Sequence, residues 1–165
     1  MRIILIFVLL QMICLTHCAA QEINNVKHIK GCCFEGYIFP TTYIGSIPID
    51  NGHERFTPEA KDIAKAEAIL NKQISKLNSD LLNQTEGCPI IHKKLKKYKR
   101  QYFGVITENG EKVIWINFIW SKDEIALRQW KKDVIIILDG CSFYWNIKVN
   151  LTKEKLFDLN VNGSA

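Results

Sequence analysis

Ile63, Ala66, Leu70, Ile74, Leu77 and Leu81 recur in steps of three and four, the spacing that keeps side chains on one face of an α-helix. The stripe holds for about five turns of 3.6 residues. Lys61, Lys65, Lys72 and Ser79 fall on the opposite face. At the start, Thr57 offers an N-cap oxygen, Pro58 gives up no donor that the first turn needs, and Glu59 suits the positive end of the helix dipole. The helix is expected to end near Asn83, before Gly87 and Pro89. A helix striped in this way must bury its apolar side against a second layer.

The C-terminal half supplies that layer. From Gln101 the hydrophobic period shortens to two. Gln101 to Thr107 and Lys112 to Trp120 read as strands, with Asn109-Gly110 as a type I′ turn pair between them. On the second strand Ile114, Ile116, Phe118 and Trp120 share one face, while Val113, Trp115, Asn117 and Ile119 share the other. A second hairpin is expected from Val134–Leu138, through Asp139-Gly140, to Ser142–Asn150, followed by a last strand over Leu156–Val161. Shorter helical pieces are expected at Ile91, Leu95 and Tyr98, and around Ile125 to Trp130. Tight turns make neighbouring strands antiparallel. The expected fold is therefore α+β: one long amphipathic helix packed on a curved antiparallel sheet of about four or five meander strands. The cystatin-like folds share that layout, as an analogy of architecture alone.

The N-terminal stretch reads as an address. Met1 and Arg2 precede an apolar run from Ile3 to Leu10, extended past Gln11 to Leu15. That run falls short of the about 20 apolar residues a membrane-spanning helix needs. Residues 1–20 are expected to be a secretory signal, cut after Cys18-Ala19-Ala20. Leu15-Thr16-His17-Cys18 also approximates a bacterial lipoprotein site, which makes Cys18 a candidate lipid anchor. Residues 21–55, punctuated by Gly31, Gly36, Pro40, Gly45, Pro48 and Gly52, are expected to form an irregular arm. Residues 56–165 are expected to form a single α+β domain.

Four cysteines lie beyond the leader: Cys32, Cys33, Cys88 and Cys141. In an oxidising compartment an even count suggests disulfides. Adjacent cysteines bond each other only with strain. The expected bridge therefore joins one of the adjacent pair, taken as Cys33, to Cys88, and leaves Cys141 free. Cys-Cys adjacency with His28 nearby suits no common zinc-ligand spacing, so no metal or other cofactor is expected.

The chain carries a net charge of +5, yet Lys93, Lys94, Lys96, Lys97, Lys99 and Arg100 alone contribute six positive charges. The basicity is thus a patch and not a global property. Stacking of bases on Tyr98 and Tyr102 beside it would suit nucleic acid, but an exported protein seldom meets one, so a solvated helix face, an acidic glycan or an anionic membrane surface is preferred. Trp115, Trp120, Trp130 and Trp145 are read mainly as packing residues. Trp115 is the exception, because Asn117 makes its strand face partly polar. Trp115, Asn117, Lys93, Lys96 and Lys97 are the candidate partner surface. His53-Glu54-Arg55 places its groups on opposite sides of an extended segment, and the chain has no Gly-x-Ser-x-Gly elbow, phosphate loop or His-Glu-x-x-His, so no enzyme activity is expected.

Gln101-Tyr102-Phe103-Gly104-Val105 only partly resembles the cystatin wedge Gln-x-Val-x-Gly, so protease inhibition does not carry over from it. Glu54-Arg55-Phe56-Thr57-Pro58, Tyr98-Lys99-Arg100-Gln101-Tyr102-Phe103-Gly104 and Val161-Asn162-Gly163-Ser164-Ala165 resemble segments of small exported proteins of Bacteroidota bacteria. In those proteins a third small residue usually follows Asp-Gly, and Cys141 departs from the pattern. The resemblance implies a bacterial envelope setting, favours lipidation over glycosylation of the sequons at Asn83, Asn150 and Asn162, and supplies no activity. The expectation is a non-enzymatic envelope protein that binds another envelope protein or a glycan. An inhibitor-like module acting on a secreted enzyme is the second reading, and a ligand carrier or hydrolase using the concave side of the sheet is the third.

Overall fold

The computed structural model describes residues 25–45, 47–48 and 54–163. The expected leader, with Cys18, and His53 lie outside the described residues. The chain forms β1 (Lys27–Lys30), β2 (Glu35–Ile38), β3 (Glu54–Phe56) and α1 (Ala60–Leu77). Two 3₁₀ turns follow, Ile91–Lys93 and Leu95–Lys97, and lead into β4 (Tyr98–Ile106) and β5 (Lys112–Trp120). Then come α2 (Glu124–Gln129), a third 3₁₀ turn (Cys141–Phe143), β6 (Tyr144–Asn150) and β7 (Lys155–Val161). Among the described residues, no helix is long and apolar enough to cross a membrane.

Among the described residues the strands form one seven-stranded sheet in the order β1-β2-β4-β5-β6-β7, with β3 also beside β4. All pairings are antiparallel except β2 with β4. β2 follows Arg100 to Tyr102 and β3 follows Gly104 to Ile106, so two short strands divide one edge of β4 between them. The fold is α+β, as expected, but the arm is not irregular. It supplies β1, β2 and most of β3, which raises the strand count above the four or five expected. These strands are three or four residues long, too short to display a hydrophobic period.

Helix α1 buries Ile63, Ala66, Ile69, Leu70 and Ile74. Its cap is Glu59, not Thr57: Glu59 and Asp62 form a reciprocal capping box. Thr57 instead accepts a hydrogen bond from the Thr41 N–H at 3.1 Å. The helix stops at Leu77 because Asn78 caps it and Leu81 and Asn83 then adopt positive φ. The stripe accordingly fails at its end, where Leu77 and Leu81 are partly exposed.

At the β4–β5 hairpin only Gly110 has positive φ, +74°. A type I′ turn needs positive φ at both central residues, so Asn109-Gly110 does not form one. Gly110 N–H instead donates to Thr107 O at 2.8 Å, and the loop is closed by a Thr107 N–H to Glu111 O bond at 3.0 Å.

Val134–Leu138 is not a strand. β5 pairs directly with β6, and the 133–137 stretch crosses the other face of the sheet. Gln101 donates to the Trp130 and Asp133 carbonyls at 2.8 and 2.7 Å, and accepts from Ile135 N–H at 2.9 Å. Asn117 donates to Ile135 O at 2.7 Å. Two sheet side chains thus pair backbone groups that the crossing segment would otherwise bury without partners.

Both faces of the sheet are covered. On one, α1 packs over Tyr102, Ile114, Ile116, Phe118, Trp145 and Ile147. On the other, Phe39, Tyr43, Phe103 and Trp115 form a second core with Val26, Tyr37, Ile47 and Val134.

Cys88 bonds Cys141, with Cα atoms 6.2 Å apart. The expected Cys33–Cys88 bridge is therefore absent, and Cys141 is not free. Cys32 and Cys33 sit at the tip of the edge hairpin β1–β2, whereas Cys88 lies beside the turn that enters β6. Ser142 Oγ donating to Pro89 O at 2.6 Å ties the same two segments.

Candidate functional site

A groove of about 290 Å³ opens where the β1–β2 tip meets the second 3₁₀ turn and the start of β4. Lys30, Lys96, Lys97 and Lys99 line it, together with Cys32 and Cys33.

The lysines are displayed because their neighbours are anchored. Ile91, Leu95 and Tyr98 are buried as the sequence pattern required, which leaves Lys96 and Lys97 exposed. The Tyr98 hydroxyl donates to Ser142 O at 2.7 Å. Arg100, read from sequence as part of the basic surface, is only 1% exposed. Its Nε donates to Glu67 at 2.9 Å, and its terminal nitrogens donate to Tyr98 O at 2.6 Å and Leu95 O at 3.2 Å. The guanidinium therefore grips the segment that carries Lys96 and Lys97 from below. Burial raises the Glu67 carboxyl above its usual range, against the opposing pull of Arg100 and the Tyr102 hydroxyl.

On the opposite wall Glu35 accepts from Lys99 Nζ at 2.6 Å and meets His28 Nε2 at 3.1 Å. The Lys99 hydrogen bond holds the Glu35 carboxyl below the usual carboxylate range, with His28 adding to it and burial opposing. Lys99 Nζ also lies 5.3 Å from the centre of the Trp130 ring, a favourable cation–π distance. These contacts latch the β2 strand to β4 and leave a surplus of positive charge facing the groove.

The hairpin tip carries two thiols. Cys32 is exposed and Cys33 half-buried, with Sγ atoms 3.3 Å apart. The hydrogen bond from Cys32 holds the Cys33 thiol below its usual value, with Lys96 and Arg100 assisting against burial, and the same bond pushes Cys32 up.

The expected partner surface is split by the fold. Lys96 and Lys97 line the groove, and Lys93 is exposed outside it. Trp115 and Asn117 do not join them. They are 2% and 7% exposed, beneath the arm and the crossing segment. Trp115 Nε1 donates to Asn146 Oδ1 at 3.1 Å. The cleft beside them holds about 40 Å³, room for a water and little more. Sequence reasoning missed Lys30, Lys99 and the thiol pair as one site, because only the parallel β2–β4 pairing brings the hairpin tip to the basic segment. Among the described residues no three His, Cys, Asp or Glu side chains group as metal ligands. The chain matches no protein-family model, and no curated protein or solved structure matches it significantly.

Proposed function

We propose that this chain is an exported binding module that takes an acidic glycan in its lysine groove. The observation that carries the reading is the convergence of Lys30, Lys96, Lys97 and Lys99 on one concavity, where Glu35 is the single carboxylate among the described lining residues and is already engaged by Lys99 and His28. Concave surfaces of one sign focus the field and concentrate anions. Export is supported by the Cys88–Cys141 bridge, since disulfides persist mainly outside reducing compartments, and by the signal-like residues 1–20. The envelope setting is the one the Bacteroidota resemblance implies.

Other readings fare less well. Among the described residues, none of the exposed large apolar side chains lines the groove, whereas membrane-surface binding leans on apolar residues that enter the lipid. Tyr98 and Tyr102 are buried, so they offer no stacking platform for nucleic acid. Gln101, Phe103 and Gly104 lie within β4 and are buried, which counts against a cystatin-like wedge. The second sheet face is filled by its own core, which counts against a carrier pocket there.

The test is calorimetric titration of the protein with a sulfated oligosaccharide, a uronic-acid oligosaccharide and anionic lipid vesicles. The glycans are expected to bind, with a loss on the order of tenfold in Lys96→Glu/Lys97→Glu and none in Trp115→Phe. Binding to vesicles alone, or glycan binding that survives both charge reversals, would overturn the reading.

A further inference from the structure

We propose that Cys32 and Cys33 form a thiol–disulfide exchange site for small anionic disulfides. The inference rests on the lysine-groove reading only for its charge preference; the dithiol chemistry stands on the hairpin tip itself.

The tip is built to hold two sulfurs together. Gly31 N–H donates to Phe34 O at 2.9 Å, which leaves Cys32-Cys33 as a two-residue turn. A Cβ on Gly31 would lie 2.4 Å from the Phe34 ring, which itself packs against the main core. The tip is thus fixed to the body of the protein, with its thiols 3.3 Å apart and open to the groove. The second pair of cysteines is bonded, with Cys141 buried and Cys88 half-buried.

The charges around the tip assign the roles. Lys30, Lys96, Lys97 and Lys99 face it from β1, the 3₁₀ turn and β4, Arg100 lies behind them, and Glu35 is occupied by Lys99 and His28. With the Sγ atoms 3.3 Å apart, one thiol can hold the proton while the other attacks as the thiolate, and the nearby Lys96 and Arg100 charges favour Cys33 as the attacker. The same lysines repel free metal cations, and among the described residues no third ligand joins the two sulfurs.

The exchange balances with the disulfide as oxidant. The Cys33 thiolate attacks one sulfur of R–S–S–R; that S–S bond breaks, and R–S⁻ leaves and takes up a proton. Cys32, giving up its proton, then attacks the Cys33 sulfur of the mixed disulfide and expels the second R–S⁻. Both protein thiols are oxidised to a Cys32–Cys33 disulfide, and one external disulfide is reduced to two thiols. The product is a vicinal disulfide, whose constrained geometry makes it the more reducible of the chain's two bridges.

The experiment follows the purified protein by intact-mass spectrometry and peptide mapping. Its probes are glutathione disulfide (anionic), bis(2-hydroxyethyl) disulfide (uncharged) and cystamine (cationic). At low ionic strength the anionic probe should react about tenfold faster than the cationic one. The gap should close in about 1 M salt, where screening acts within about 3 Å. The rate should rise with pH at a midpoint below that of an ordinary cysteine. Cys32→Ser should accumulate the mixed disulfide on Cys33, Cys33→Ser should react at least about tenfold more slowly, and wild type should end with Cys32 linked to Cys33. An adduct on Cys32 in wild type, or a mixed disulfide that persists there, would overturn the proposal. Equal rates for all three probes at Cys33 would sink the charge preference and the groove reading together. Reaction with the uncharged probe no faster than that of free cysteine would sink the exchange site and leave glycan binding standing.

Discussion

The Arg100 guanidinium lies 2.9 Å from Glu67, and both side chains are almost fully buried between α1 and β4. The pair links the helix to the lysine-bearing segment, because the other Arg100 nitrogens hold the carbonyls on either side of Lys96 and Lys97. Removing one partner strands the other charge in an apolar layer. Arg100→Met should therefore cost about 3–5 kcal/mol in urea unfolding, whereas Glu67→Leu/Arg100→Met should cost far less. The double variant should still bind glycan more weakly than wild type, because the lysine segment has lost its grip. Equal stability losses in the single and double variants would show that the pair does not act as a unit.

The bridge should map to Cys88 and Cys141. Non-reducing digestion should yield one linked peptide carrying those two residues, while Cys32 and Cys33 accept a maleimide without denaturant. The bridge closes a separation of 53 residues. Its loss in Cys88→Ala/Cys141→Ala should cost about 2–5 kcal/mol, read as a lower thermal midpoint. A linked peptide containing Cys33 would contradict the structure.

Glu35 gives the site a defined response to acid. Its carboxyl is held below the usual range by the hydrogen bond from Lys99, with His28 assisting. The folded chain thus holds that proton less tightly than the unfolded chain does. The stabilisation is present above the unfolded value of about 4.3 and fades as pH falls through the lower folded value. A carbon-detected NMR titration should place the Glu35 midpoint below that of a free glutamate, and Lys99→Gln should move it upward. No change in Lys99→Gln would mean that the latch does not hold the hairpin.

Much of the fold was legible where periodicity was long. Ile63 to Ile74 declared the helix face, and the alternation through β5 declared the strand whose Ile114, Ile116 and Phe118 meet it. Legibility ended where tertiary contacts overrode local pattern. Val134–Leu138 has the composition of a strand, yet Gln101 and Asn117 satisfy its backbone, so it lies across the sheet instead of within it. Leu77 and Leu81 continue the stripe by spacing, but Asn78 ends the helix first. Trp115 looked exposed because its neighbour Asn117 is polar; that amide turned out to be a buried partner of the crossing segment. Lys96 and Lys97 were visible as a charge run. The convergence of Lys30 and the two thiols on them was not, because it depends on a parallel pairing between segments more than sixty residues apart in the chain.

The most direct measurement is an amide NMR titration of the labelled protein with a sulfated oligosaccharide. Shifts should cluster at residues 30–35 and 95–99, around the hairpin tip and the lysine turn, and weaken with added salt. Shifts centred on Trp115, Asn117 and Ile135, with the tip unmoved, would contradict the account.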